Sequence, residues 1–159
     1  MINISSLLGN EAESLLGNFT PKISKESLML PGADFIDNAF GLSDRSPQVL
    51  RSLHDLYNHG RLSGTGYLSI LPVDQDVEHS ANASFSSNPE YFNPENIIKL
   101  AINAECSAVA TTFGILSSVA RKYVGKIPFI VKLNHNETMS FPQFPRQIMF
   151  GSVEEAWNL

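Results

Sequence analysis

Between Tyr67 and Leu133 the sequence alternates β-prone runs with amphipathic helical patterns, and this alternation restricts the fold more than any other feature. The first run carries Tyr67, Leu68, Ile70, Leu71 and Val73; the second is Ser107–Phe113, SAVATTF; the third is Ile127–Leu133, IPFIVKL. Between them, Pro94–Ala104 sets Ile97, Ile98, Ala101 and Ile102 on one stripe behind an Asn93–Pro94 start, and Gly114–Val124 sets Leu116, Val119, Ala120 and Tyr123 on one face before Gly125 stops it. A β-α-β-α-β order calls for a parallel sheet with right-handed crossovers, because parallel neighbours need a long connection that returns the chain to the same end of the sheet. The expected class is α/β.

In such folds the functional groups gather where buried parallel strands end and meet solvent. The first run stops at Asp74, inside GTGYLSILPVDQDVEHS, and gives way to a polar segment with Asp76, Glu78 and His79. Asp74 is the first candidate for chemistry; the plainer reading is a turn cap in a solvated loop. Lys132 stands near the end of the third run, in FIVKLN. A charged lysine there needs a carboxylate or phosphate partner or a route to water. If Asp74 and Lys132 end neighbouring strands on one rim, they can orient a polar or phosphorylated substrate; the alternative is a structural ion pair.

Composition narrows the partners. The chain has 159 residues, is 43% hydrophobic and 17% charged, which suits one ordinary domain with a core. Its formal charge of -5 and pI near 5.3 leave no concentrated basic patch, so no nucleic-acid partner is expected. Cys106 is the single cysteine, so an internal disulfide is impossible and the cytoplasm is the expected compartment. No run has the length of a membrane span, and MINISSLLGNEAES does not read as a signal peptide, so no membrane partner is expected.

The remaining stretches are read as scaffold. Leu7, Leu8, Leu15 and Leu16 suggest two short amphipathic turns broken near Gly9, and Thr20–Asp44 reads as an irregular arm. Pro47 opens a helix capped by Ser46 and ended by Gly60, with Val49, Leu50, Leu53, Leu56 and Tyr57 on its apolar face. His54 and His59 do not share a face of it, so they are read as structural. Ala81–Asn93, rich in Ser, Asn and Ala, reads as a long loop anchored by Phe85, Tyr91 and Phe92. NHNETMSFPQFPRQ reads as a second loop; its His135 and Glu137, with Glu78 and His79, lack ligand spacing of the HExxH kind, so no metal is expected. Ser152, Glu154 and Glu155 mark a last helix start before Trp157. No Gly-rich phosphate loop or GxSxG motif is present.

GRLSGTGYLSILPVDQDVEHS, NPEYFNPENIIKLAI and PFIVKLNHNET together resemble the N-terminal half of archaeal-type class I fructose-bisphosphate aldolases, in the longer bacterial form with an N-terminal arm. The resemblance covers essentially the whole chain. It implies the N-terminal part of a (β/α)8 barrel, with residues 1–63 as helical arm and helix and 64–159 as the first barrel strands and helices. It also implies a lyase of glycolysis and gluconeogenesis that cleaves fructose 1,6-bisphosphate to dihydroxyacetone phosphate and glyceraldehyde 3-phosphate. The chemistry runs through a lysine Schiff base, with no cofactor and no metal, in a homo-oligomer for the full-length family. By the matched motifs Asp74 handles the substrate's hydroxyl protons, while Gln75, His79, Lys132 and Asn134 face the phosphorylated sugar.

Two departures from the family pattern matter. Asp76 stands where the family usually has glycine, adding an acid beside Asp74. The family's Schiff-base lysine and proton-donating tyrosine come from later strands than this chain carries, and Lys132 does not match the Schiff-base motif. The expectation is therefore a chain without activity by itself, with open sheet edges and side chains such as Leu71 and Val131 uncovered on the barrel interior. The alternatives are an inert product or assembly partner, or a related Schiff-base aldolase for another phosphosugar.

Overall fold

The computed structural model describes residues 3–17, 22–75, 77–136, 138–139, 142–144 and 146–159. Contacts divide the chain into two units, Met1–Leu30 and Pro31–Leu159. In the first, α1 (Ile4–Leu8) is capped by Asn3, whose side chain accepts the Ser5 N–H, and a 3-10 turn at Gly9–Glu11 leads into α2 (Ala12–Leu16). Neither helix buries a residue.

The second unit opens with α3 (Phe35–Phe40) and α4 (Pro47–Tyr57). The structure thus places a helix inside the stretch read as irregular; it is short, and Phe35 stacks on Phe40 and Tyr57 with centroids 6.1 and 5.1 Å away. The start of α4 follows from local chemistry, with Ser46 accepting the Val49 N–H and Pro47 in the first turn. His54 Nε2 lies 3.3 Å from Asp37 Oδ1 and ties α4 to α3, a structural use. At Gly60 the backbone has φ +75°, and an added Cβ would stand 2.3 Å from the Glu105 carbonyl oxygen; glycine is what lets this turn press against the segment entering the second strand.

The sheet has the order β1-β2-β3, all parallel: β1 (Ile70–Val73), β2 (Ala108–Thr111) and β3 (Phe129–Val131). Between β1 and β2 come α5 (Ala81–Phe85), a 3-10 turn at Pro89–Phe92, and α6 (Pro94–Asn103), capped by the Asn93 side chain; between β2 and β3 comes α7 (Phe113–Tyr123), capped by Thr112. The expected long loop at Ala81–Asn93 is therefore overturned. Phe85 packs edge-on to Tyr91 and Phe92, and this small aromatic cluster folds a Ser- and Asn-rich stretch into helical turns.

The core lies between the sheet and α6–α7: Ile98, Ala101, Cys106, Val109, Val119, Tyr123 and Ile127 are buried together, with Leu71 and Phe129 packed on them. Leu71 thus faces the helices, and Val131 shares the side of Phe129 because strand side chains alternate. The expectation that these two line the barrel interior is corrected. The opposite face carries Ile70 and Pro72 of β1, both exposed, with Ile130 of β3, and continues by alternation to Asp74 and Lys132.

After β3 the chain forms an antiparallel hairpin, β4 (Asn134–Asn136) and β5 (Gln147–Met149), where the sequence reads as loop. Its pairing is reinforced by side chains: Asn134 Nδ2 donates to Gln147 Oε1 at 2.7 Å and Gln147 Nε2 donates to Asn136 Oδ1 at 2.8 Å. The last element, α8 (Val153–Trp157), begins with the expected Ser152 cap, completed by Glu155 into a reciprocal box. No helix among the described residues is long and apolar enough to cross a membrane.

Candidate functional site

The carboxyl ends of the three parallel strands meet where the sequence changes from apolar to polar. Register pairs Val73 with Thr111 and Thr111 with Val131, so Asp74 and Lys132 leave the sheet at the same level on either side of β2. They end strands that are not neighbours, contrary to expectation. The gap is two strand spacings, about 10 Å, and the long lysine side chain crosses it: Nζ donates to Asp74 Oδ2 at 2.6 Å. Ala110, the residue of β2 registered between Pro72 and Ile130, has a small side chain. At the same rim the buried Thr111 hydroxyl donates to the Val73 carbonyl at 2.9 Å, which anchors the peptide leading into Asp74.

Lys132 has a second acid. Its ammonium also donates to Glu78 Oε1 at 2.5 Å, and the same oxygen accepts the Asn136 N–H of β4 at 3.0 Å. The loop holding Glu78 is tied down again by the Thr138 hydroxyl, which donates to the Glu78 carbonyl oxygen at 2.5 Å. His135, 1% exposed, turns Nδ1 toward Glu78 Oε1 at 3.8 Å, and that nitrogen has no hydrogen-bond partner among the described residues. Phe150 closes the other side of the imidazole edge-on, with centroids 5.1 Å apart.

The electrostatics follow from this packing. Burial works against the charge of Lys132, but the bonds to Asp74 and Glu78 outweigh it and hold the ammonium above the ordinary lysine range. The Lys132 ammonium, and after it the Asn136 N–H, keep the Glu78 carboxyl below the usual carboxylate range against the opposing cost of burial. A lysine held charged is a hydrogen-bond donor and a fixed positive charge; attack on a carbonyl requires the neutral amine. The geometry therefore suits Lys132 to orienting oxygen atoms. Asp74, Glu78 and His135 also bring ligand atoms within 4.8 Å of one another, a donor set of the kind metals use, but the Lys132 ammonium is already bonded to both carboxylates.

The other sequence candidates adjoin this cluster in the chain and are held by other contacts. Gln75 Oε1 is buried without a partner among the described residues, and Gln75 lines a cavity of about 150 Å³ with Leu71, Val73, Phe85 and Ile97, on the helix side of the sheet. His79 is exposed and makes a backbone bridge with Gln75. Asn134 is exposed on β4 and held by Gln147. Asp76 and Glu137 lie outside the described residues. Glu78 and His135 are the members that sequence reasoning did not bring to the site; the signal available for Glu78 was its place in the same strand-end segment as Asp74. A separate cleft of about 700 Å³ lies between α4 and β3, lined by Leu53, Leu56, His59, Phe129, Ile130 and Trp157, and none of the ionic cluster borders it.

Comparison with known proteins places these features in context. Residues 68–159 match the profile described as DeoC/LacD family aldolase. All 159 residues align at 57% identity with 46% of a probable fructose-bisphosphate aldolase class 1 of Chlamydia pneumoniae, and at 56% with 45% of the probable class 1 enzyme of Chlamydia muridarum. A fructose-bisphosphate aldolase class 1 of Thermoproteus tenax is 37% identical over 90 residues, covering 57% of this chain and 32% of its own. The chain thus spans about half the length of the curated relatives it matches along its whole length. Among solved structures, a fructose-bisphosphate aldolase from Slackia heliotrinireducens superposes with a TM-score of 0.59 over 87% of this chain and 41% of that one; at 23% identity this speaks for the fold alone.

Proposed function

The chain belongs to the DeoC/LacD family of aldolases, and on that premise we propose that it forms the Asp74–Lys132 side of the active site of a class 1 fructose-bisphosphate aldolase. In this reading residues 64–159 are the first strands and helices of a (β/α)8 barrel, residues 1–63 are the arm and helix that precede it, and the protein works in the cytoplasm as a homo-oligomer. The reaction is cleavage of fructose 1,6-bisphosphate to dihydroxyacetone phosphate and glyceraldehyde 3-phosphate through a lysine Schiff base. The observation that carries it is the match at 57% identity along the whole chain to a relative of that name.

The ionic cluster limits what each residue does. Asp74 and Glu78 as carboxylates with Lys132 as ammonium carry one net negative charge, which repels a phosphate and suits a neutral hydroxyl. Asp74 therefore takes the proton of a sugar hydroxyl, and Lys132 orients the oxygen from which that proton leaves. With its ammonium bonded to both Asp74 and Glu78, Lys132 is placed to orient oxygen, and in this reading the Schiff-base nucleophile is another lysine, in the part of the relatives' length that these residues do not span. His79 is exposed and so open to a substrate, whereas Gln75 and Asn134 reach one only if their present packing opens. A related Schiff-base aldolase for another phosphosugar is the second reading, favoured by a family description that names no single sugar.

Borohydride trapping tests both. In protein made from the full reading frame encoding these residues, reduction in the presence of dihydroxyacetone phosphate is expected to leave a stable adduct on a lysine other than Lys132, and the 159-residue chain alone is expected to leave none. An adduct on Lys132, or no adduct in the full-frame protein, overturns the proposal. Trapping with dihydroxyacetone phosphate but no cleavage of fructose 1,6-bisphosphate selects the second reading.

A further inference from the structure

We infer that Glu78 is a positioning residue for Lys132, braced from behind by the β4–β5 hairpin, so that the hairpin decides where the ammonium stands relative to Asp74. The inference deepens the proposed function and rests on it for its chemical purpose. Its basis is geometric. A single Asp74–Lys132 bond leaves a four-carbon side chain free to swing about its end, whereas a second acid fixes Nζ at the intersection of two bonds. Glu78 can serve as that second point only because it is itself held: Oε1 by the Asn136 N–H, and its backbone carbonyl by the Thr138 hydroxyl.

The buried imidazole supplies an independent observation. His135 is sealed by Phe150 and aims an unpartnered Nδ1 at the oxygen of Glu78 that already accepts two hydrogen bonds. A buried polar atom left without a partner is costly, and such atoms concentrate where a site is held ready for function. The groups converging on Glu78 are thus Lys132 from the end of β3, Asp74 across it from the end of β1, and His135 and the Asn136 N–H from β4.

The test measures the reactivity of Lys132 toward an acetyl N-hydroxysuccinimide ester, by peptide mass spectrometry, with the exposed Lys25 as internal reference. Only the neutral amine reacts, so each unit of raised pKa slows acylation by roughly tenfold. Lys132 is expected to react several-fold more slowly than Lys25, and Glu78→Gln to speed it by about three- to tenfold. The glutamine oxygen can still accept the Asn136 N–H, so if Glu78 serves only to hold the loop, the rate at Lys132 stays put and the inference is overturned. If Glu78→Gln does not fold, the unaltered chain decides: Lys132 reacting as fast as Lys25 overturns it. The assay reads no turnover, so a missing aldolase activity counts against the proposed function alone. Cleavage of fructose 1,6-bisphosphate combined with a Lys132 indifferent to Glu78 counts against this inference alone.

Discussion

Two ionic clusters among the described residues are built on opposite plans. On the helix layer one acid gathers two lysines: Glu95 of α6 accepts from Lys122 of α7 at 2.6 and 2.7 Å, with Lys99 3.8 Å away. At the sheet rim one lysine gathers two acids, Lys132 with Asp74 and Glu78. The central residues are alike, Glu95 30% and Lys132 35% exposed, but the partners are not: the lysines of the first cluster are 53% and 59% exposed, and it stitches neighbouring helices. The second sits at strand ends beside a buried histidine, with acids only 21% and 16% exposed. Water can take the place of the exposed lysines of the helix cluster at little cost, while at the rim each lost partner leaves a half-buried charge facing another. Similar bond lengths therefore carry different consequences, and burial decides which cluster matters.

The sharpest way to break the comparison is to remove the rim cation. Lys132→Met leaves Asp74 and Glu78 facing each other unpaired, and the expected loss of stability lies between the roughly 1 kcal/mol of an exposed pair and the roughly 3–5 kcal/mol of a buried one. Urea unfolding measures it, and in the full-frame protein aldolase activity should fall by at least about a hundredfold if the rim orients substrate oxygens.

A smaller effect separates the clusters by pH. The folded carboxyl of Glu78 is held below its ordinary value of 4.5, so its contribution is present above that value and is lost as pH falls through the folded value. Lys132 is raised above 10.5, so its contribution is present below that value and is lost as pH rises through the folded one. The urea midpoint should drop as pH falls below the ordinary carboxyl value of 4.5, and Glu78→Gln should flatten that drop, with little dependence on salt. An equal drop in both proteins would assign the acid sensitivity elsewhere.

The smallest expected effect is at the helix cluster. Glu95 is also held below the ordinary range, chiefly by Lys122, but both of its lysine partners stand in solvent. Glu95→Gln should leave the urea midpoint nearly unchanged at pH 7, and any shift should vanish in about 1 M salt, where the Debye length is near 3 Å. A shift as large as that of Lys132→Met would erase the distinction between the two clusters.

What the sequence disclosed was whatever short-range chemistry decides. Ser46–Pro47, Asn93–Pro94 and Ser152 with Glu155 mark helix starts whose caps form within a few residues, and each stands where expected. Asp74 and Lys132 were legible because a strand end is a local event. Strand order was not: that β2 separates β1 from β3 depends on which edge each crossover returns to. The β4–β5 hairpin was hidden because Asn-His-Asn lacks the apolar alternation of a half-buried strand, and its stability comes from Gln147 bridging two asparagines. The aromatic trio at 85–92 was read as anchors of a loop, although its members pack on one another. Glu78 and His135 escaped because their roles depend on distant contacts: Glu78 meets Lys132, 54 positions along the chain, and His135 meets Glu78 from β4.

The span of the Asp74–Lys132 bond carries a consequence for the order of folding. It joins residues 58 positions apart and passes over a strand that belongs to neither partner, so it forms only after both crossovers have returned and all three strands lie in register. Loop-closure entropy must be met before this contact rewards it, so the bond is expected to form after the rate-limiting step, with Lys132→Met speeding unfolding more than it slows folding. Interactions absent from the transition state leave the folding rate alone and slow the reverse reaction. The rim cluster thus acts as a latch on the finished sheet, governing how long the native state persists more than how quickly it is reached.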